Sequence, residues 1–175
     1  EEELSTIIDT VEEEGVIDED QSELLQSTLE FSDITLERIM THRVDMVAID
    51  IDDDPKEIAA TLRDPTQYSR LPVYEETIDS IVGIINEKDF HNLVLRDGNA
   101  VKQIIKPVEF IPPSMKISAL LKLLQQNKSH LAVIVDEFGG TEGIVTLEDI
   151  IEELVGEIWD EHDEVVEAFR SEEHT

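Results

Sequence analysis

The stretch Ser129-His130-Leu131-Ala132-Val133-Ile134-Val135-Asp136-Glu137-Phe138-Gly139-Gly140-Thr141-Glu142-Gly143-Ile144-Val145-Thr146-Leu147-Glu148-Asp149-Ile150-Ile151 decides the fold. The apolar, β-branched run after His130 predicts a buried strand. Gly139 and Gly140 predict a tight hairpin between Val135 and Ile144. They match neither the dinucleotide fingerprint nor a phosphate loop, which needs a following Lys. At Thr146-Leu147-Glu148-Asp149 the returning strand ends and a helix begins. A hydroxyl, a carboxylate and free backbone N–H groups then share one positive helix end.

Sixty residues upstream the pattern recurs. Leu71-Pro72-Val73-Tyr74 matches Leu131-Ala132-Val133-Ile134, and Gly83-Ile84-Ile85-Asn86-Glu87-Lys88-Asp89 matches Gly143-Ile144-Val145-Thr146-Leu147-Glu148-Asp149. Ile58 and Leu62 fall on Ile117 and Leu121, and Leu36-Glu37-Arg38-Ile39-Met40 falls on Val101-Lys102-Gln103-Ile104-Ile105. The offsets differ by a few residues, so the length differences belong in loops. Each copy reads as a short leading helix, an extended segment (Met46 to Ile49; Phe110 to Ile111), a helix (Pro55 to Leu62; Ile117 to Gln125), two strands and a closing helix. So small a sheet does not bury both faces alone, so the copies are expected to pack together.

Outside the repeat the composition changes. The chain has 175 residues, 40% hydrophobic, with a formal net charge of −30. Residues 1–34 carry 13 acids and no Lys or Arg, and residues 156–175 carry 8 acids and one Arg. The charges are therefore −13 and −7 at the ends and −10 in the middle. Leu4, Ile7, Ile8 and Val11, then Leu24, Leu25 and Leu29, predict two short amphipathic helices in the first flank, with Gly15 ending one and Asp18 capping the next. The expected divisions are an acidic helical connector (1–34), two repeats (35–98 and 99–155) and an acidic tail (156–175).

The order Arg-Ile-Met-Thr at 38–41, a helix, Ser-Arg-x-Pro-Val-Tyr at 69–74, Gly-Ile-Ile-x-x-x-Asp at 83–89, then the long string from Ser129 to Ile158, resembles a tandem CBS-domain pair. More narrowly it resembles the cytosolic pair of the CorC/CNNM, hemolysin-related group of membrane proteins associated with magnesium and cobalt efflux. The resemblance implies an α+β fold, two CBS repeats each with a small mixed sheet and flanking helices, packed as a pseudo-symmetric pair after an N-terminal helical extension.

It also implies an adenine nucleotide, ATP or AMP, with Asp149 accepting from the ribose hydroxyls and Thr146 helping to hold ribose or phosphate. Thr-x-x-Asp before an apolar helix is equally close to a capping box, and the two roles can coexist on one Thr. The first copy has Asn86 for Thr146 and keeps Asp89, so one good site per pair is expected. Thr41 falls where the family brings a Thr towards the nucleotide, and Lys106 stands at the matching second-copy position. Arg43 and Arg70 are phosphate candidates, with surface ion pairs as their alternative. Ala132, with Val133 and Ile134 beside Phe110-Ile111, is a candidate adenine slot or simply core. His130 stands beside this region as a ligand contact or a strand-edge residue satisfied by backbone.

Other chemistries are excluded or weakened. No cysteine is present, which removes disulfides, thiolate zinc and Cys nucleophiles. The alternation Asp50, Asp52, Asp54 fails as a calcium loop because Pro55 stands where Gly is needed and Thr61 where Glu is needed. His42, His91, His130, His162 and His174 show no metal-ligand pair on one helix, so no metal site is assigned. No nucleophile–base arrangement is legible, and the chain is expected not to be an enzyme. A charge of −30 argues against nucleic acid and makes Mg²⁺ the expected companion of any ATP, because it reduces phosphate repulsion. The opening Glu1-Glu2-Glu3 and the lack of a long apolar run read as an excised soluble piece.

The expected function is a regulatory pair at the cytoplasmic face of the membrane, binding Mg-ATP and controlling divalent-cation (Mg/Co) efflux by a transport domain of the same parent chain. The pair is expected to associate as a homodimer. The alternatives are a nucleotide-free dimerisation scaffold and a direct divalent-cation sensor.

Overall fold

The computed structural model describes residues 34–63 and 69–155. The acidic connector, apart from Ile34, and the acidic tail lie outside the described residues. Two compact units interleave along the chain: one within Glu1–Met40, Ser114–Leu131 and Val145–Thr175, the other Thr41–Pro113 with Ala132–Ile144.

The first unit is helical where described. Helix α1, Leu36–Ile39, is a single turn that buries Leu36 and Ile39. Helix α4, Ile117–Gln126, places Ile117, Leu120, Leu121 and Leu124 on one buried face, the i, i+3, i+4, i+7 pattern that makes it amphipathic. Helix α5 (147–155) buries Leu147, Ile150, Ile151 and Leu154 in the same pattern. The Arg38 guanidinium on α1 lies 2.8 Å from the Glu153 carboxylate on α5, tying these helices together.

The second unit holds the sheets. Strand β1, Thr41–His42, is followed by the 3₁₀ turn Arg43–Asp45 and by β2, Ile49–Asp50. Helix α2, Pro55–Leu62, starts where Asp54 accepts the Lys56 N–H at 2.9 Å with Pro55 in the first turn, and it buries Ile58, Ala59 and Leu62. The neighbouring carboxylates are also used locally. Asp50 accepts the Asp52 N–H at 2.9 Å, and Asp53 accepts the Asp50 N–H at 3.0 Å. Burial, then Asp50 and Asp53, push the Tyr74 hydroxyl pKa up.

Strands β3, Arg70–Glu75, and β4, Thr77–Asn86, form an antiparallel hairpin turning at Glu76, and β2 adds parallel to β3. Helix α3, Glu87–Asp89, runs on as a π-helical stretch, Phe90–Arg96. A 3₁₀ turn, Val101–Gln103, leads towards β5, Glu109–Ile111. Strands β6, Leu131–Val135, and β7, Thr141–Thr146, complete the second sheet in the order β1-β7-β6-β5, and the first sheet has the order β2-β3-β4. Ile49, Ile58, Leu62, Leu71, Val73, Ile85 and Phe90 pack in one core with Val101 and Ile104.

The hairpin expected at Gly139-Gly140 is built by Asp136. Its Oδ1 accepts from the Phe138 N–H at 2.9 Å and the Gly140 N–H at 2.8 Å, and Gly139 takes φ +80°, which glycine adopts without a Cβ penalty. Among the described residues no helix is long and apolar enough to cross a membrane.

The leading segments of the two copies are exchanged. Thr41, ahead of the first copy's own strands, pairs with Ile144 on the second copy's last strand. Lys106, ahead of the second copy's strands, bridges Ile84 on the first copy's last strand, with reciprocal N–H···O bonds of 2.8 and 2.9 Å. Ile84 and Ile144 are equivalent by the 60-residue offset, so the two pairings repeat one arrangement.

Candidate functional site

Strand β7 ends at Thr146 and α5 begins at once. The Thr146 N–H donates to Asp149 Oδ2 at 3.0 Å, and the Asp149 N–H donates to Thr146 Oγ1 at 3.1 Å. This is the reciprocal geometry of a capping box, with Asp in place of the usual Glu. The Leu147 N–H donates to the His130 carbonyl at 2.9 Å, which brings His130 to the same helix start. Among the described residues, no hydrogen bond reaches Asp149 Oδ1 and no Lys or Arg pairs with the carboxylate. With respect to the described residues, a carboxylate oxygen at the positive end of a helix is left for a further donor.

The first copy solves the same local problem differently. Asn86 Oδ1 accepts the Lys88 N–H at 2.9 Å, a simple cap without the reciprocal bond. The Glu87 N–H donates to the Ser69 carbonyl at 3.0 Å, much as Leu147 does to His130. Asp89 Oδ2 lies 3.1 Å from the Lys106 ammonium. Among the described residues, one helix start thus carries a carboxylate without a cationic partner, and the other carries one paired with Lys106.

The remaining candidates are placed as follows. Thr41 registers on Ile144, two positions before Thr146 in β7. Arg70 registers on Asn86, so it belongs to the first-copy helix start. Ala132 is fully buried on β6 opposite Glu109, and Val133 and Ile134 are equally buried beside Phe110 and Ile111, whereas the Phe110 ring is half exposed. Arg43 is engaged with Asp79: both guanidinium nitrogens reach its carboxylate, Nη2 at 3.3 Å, and Nη1 also donates to the Thr141 carbonyl at 3.3 Å. The Thr141 N–H donates to the same carboxylate at 3.0 Å. The Arg43 hydrogen bond first, and then the Thr141 N–H, pull the Asp79 pKa below its ordinary value.

Asp79 and Asp136 are structural residues that sequence reasoning did not single out. Asp79 carried no local signal, since its partners lie 36 and 62 residues away. The Lys106–Asp89 pair did carry one, because Lys106 broke the repeat at the Thr41 position. Among the described residues no group of His, Asp and Glu side chains is arranged to hold a metal ion.

The family model for the CBS domain matches residues 36–96 and again residues 101–156. The chain belongs to the CBS-domain family. This tandem pair is similar to the CBS domain of a bacterial CNNM/CorC family Mg²⁺ transporter solved in complex with ATP, at 43% identity and a TM-score of 0.67, over 78% of this chain and 98% of that one. A CBS-domain pair from Klebsiella pneumoniae solved with bound AMP is 30% identical, with a TM-score of 0.60, over 70% of this chain and 99% of that one. A possible hemolysin C of Rickettsia akari is 38% identical over 150 residues, 85% of this chain. The CBS pair spans about half the length of such hemolysin C relatives. The mixed sheets and helices described above are those of the CBS-pair fold, and the expected resemblance to the CNNM/CorC and hemolysin-related group holds.

Proposed function

We propose that this CBS pair is a regulatory module that binds an adenine nucleotide, ATP or AMP, and couples its occupancy to a membrane transport domain elsewhere in the parent chain. The observation that carries the reading is the Asp149 carboxylate beside Thr146 at the start of α5, which has no cationic partner among the described residues. A ribose diol supplies two O–H donors and needs such an acceptor, and hydrogen bonds to a charged acceptor are stronger than neutral ones. The ATP and AMP complexes of the two similar CBS structures support the same ligand class.

Thr146 and Asp149 take the ribose in this reading, with His130 at the same helix start. Thr41 stays a candidate contact on the family resemblance alone. Arg70, Arg43 and Ala132 are weaker candidates, Arg43 because Asp79 already holds it and Ala132 because it has no exposed surface. ATP meets a chain of net charge −30, so Mg²⁺ on its phosphates lowers the repulsion and strengthens binding. The parent is membrane-anchored with this module on the cytoplasmic side, it moves divalent cations, Mg²⁺ or Co²⁺, outward, and the module pairs as a homodimer.

Calorimetric titration with ATP and AMP, each with and without Mg²⁺ at fixed ionic strength, tests the reading. Saturable ATP binding that tightens with Mg²⁺ is expected. Equal ATP affinity in both conditions removes the electrostatic account, and no binding of either nucleotide leaves a dimerisation scaffold. The scaffold has one observation in its favour: Thr146 Oγ1 and Asp149 Oδ2 are already used in the cap.

A further inference from the structure

We infer that Lys106 sets the nucleotide stoichiometry of the pair, closing the first-copy half-site by holding its ammonium on the Asp89 carboxylate. The inference rests on the nucleotide reading above, and the exchange of leading segments leads to it. Thr41 and Lys106 occupy the same register position, each beside the last strand of the opposite copy, on Ile144 and Ile84. From equivalent backbone positions the two side chains bring different chemistry. Thr41 is uncharged and brings no cation to the second copy's carboxylate. Lys106 brings an ammonium to within 3.1 Å of Asp89 Oδ2.

The backbone fixes this placement. The reciprocal bonds between Lys106 and Ile84 pin the chain at the foot of the lysine side chain. The approach is so close at Gly83 that a Cβ there would run into the Lys106 carbonyl oxygen and Ile105 Cγ2. The helical run from Glu87 to Arg96 is continuous, and its first turn is capped by Asn86, so the half-site keeps a helix start and a carboxylate. Besides the simpler Asn86 cap, what differs is that the acceptor a ribose diol would use is already taken by a tethered cation. A tethered ammonium competes at high effective concentration, whereas a free nucleotide must reach the carboxylate from solution. The pair is half in solvent, with side-chain exposures of 61% and 33%, so removing it does not endanger the fold.

The test is nucleotide stoichiometry by equilibrium dialysis with radiolabelled Mg-ATP, on wild type, Lys106→Thr, Lys106→Gln and the double variant Lys106→Thr/Asp149→Ala, with circular dichroism as the check on folding. One ATP per chain is expected for wild type, two for each Lys106 variant, and one for the double variant, held at the opened Asp89 half-site. A wild type with one site whose Lys106 variants also stay at one overturns the inference and leaves the Asp149 reading intact. A wild type with two sites overturns it as well. So does a Lys106 variant whose single site weakens severalfold, because Lys106 would then be a ligand of the nucleotide. A wild type with none whose Lys106 variants bind one upholds the inference and removes the Asp149 reading. No binding by any of them overturns both.

Discussion

Replacing Asp149 by Asn separates the two roles its carboxylate can play. The cap needs only an acceptor for the Thr146 N–H, now 3.0 Å from Oδ2, and an amide oxygen supplies one. The fold then loses only the favourable placement of a negative charge in the first turn of α5, worth roughly 0.3–1 kcal/mol. Ala removes the acceptor as well and adds about 1 kcal/mol. A nucleotide held by charge-assisted bonds from its ribose loses more, because hydrogen bonds to a charged group are worth about 1.5–3 kcal/mol against about 1 for neutral ones. That is about 0.5–2 kcal/mol per bond, or about 1–4 over the two ribose bonds, a range that spans a roughly 10- to 100-fold loss of affinity.

Thermal melts with ATP and Mg²⁺ read both effects together. At a ligand concentration about 100 times Kd, wild type gains about 2.7 kcal/mol, a Tm rise of about 5–10 °C for a chain of this size. At the same concentration a tenfold weaker variant gains about 1.4 kcal/mol, and a hundredfold weaker one about 0.4. Asp149→Asn should therefore melt within a few degrees of wild type without ligand and lose half or more of the ATP-induced shift. An unchanged shift would refute the ribose role and leave Asp149 as a cap alone.

Three further outcomes follow from the packing. Gly83→Ala forces a Cβ against the Lys106 carbonyl and should destabilise the fold by roughly 1–3 kcal/mol, read as a lower denaturant midpoint at unchanged m. Because Arg43 and the Thr141 N–H lower the Asp79 pKa in the folded state, the stabilisation is fully present above about pH 4 and is lost as pH falls through the folded value; Asp79→Asn should melt below wild type at pH 7 and converge with it in acid. Asp54→Ala removes the acceptor of the Lys56 N–H and should cost about 1 kcal/mol, measured by chemical denaturation.

The helices were legible where capping and periodicity agreed. Asp54-Pro55 marked the start of α2, and Ile117, Leu120, Leu121 and Leu124 marked the buried face of α4. The short strands were less so. The extended segment expected at Met46 to Ile49 pairs only as Ile49–Asp50, after a 3₁₀ turn at Arg43–Asp45. The π-helical stretch Phe90–Arg96 has no distinctive spacing in sequence. Nor did the exchange of leading segments, since a two-residue strand such as Thr41–His42 is too short to show alternation. At the site, the Thr146–Asp149 geometry was readable because its residues are three apart. The partner of Arg43 was not, because only the folded chain brings Asp79 beside it.

The two copies show which features the fold requires and which it leaves free. Each closing helix needs an acceptor in its N-cap side chain, and Asn86 and Thr146 both provide one. Each last strand has a backbone partner along its edge, and Lys106 and Thr41 provide it through main-chain atoms whose hydrogen bonds do not depend on the side chain. With those requirements met by backbone and by interchangeable caps, the side chain at the exchanged position was free to diverge at little cost to stability. The lysine there places its ammonium 3.1 Å from the Asp89 carboxylate, and the threonine carries no charge. In this pair the two helix starts share a backbone plan, and the residue at the shared register position differs in charge, lysine in one case and threonine in the other.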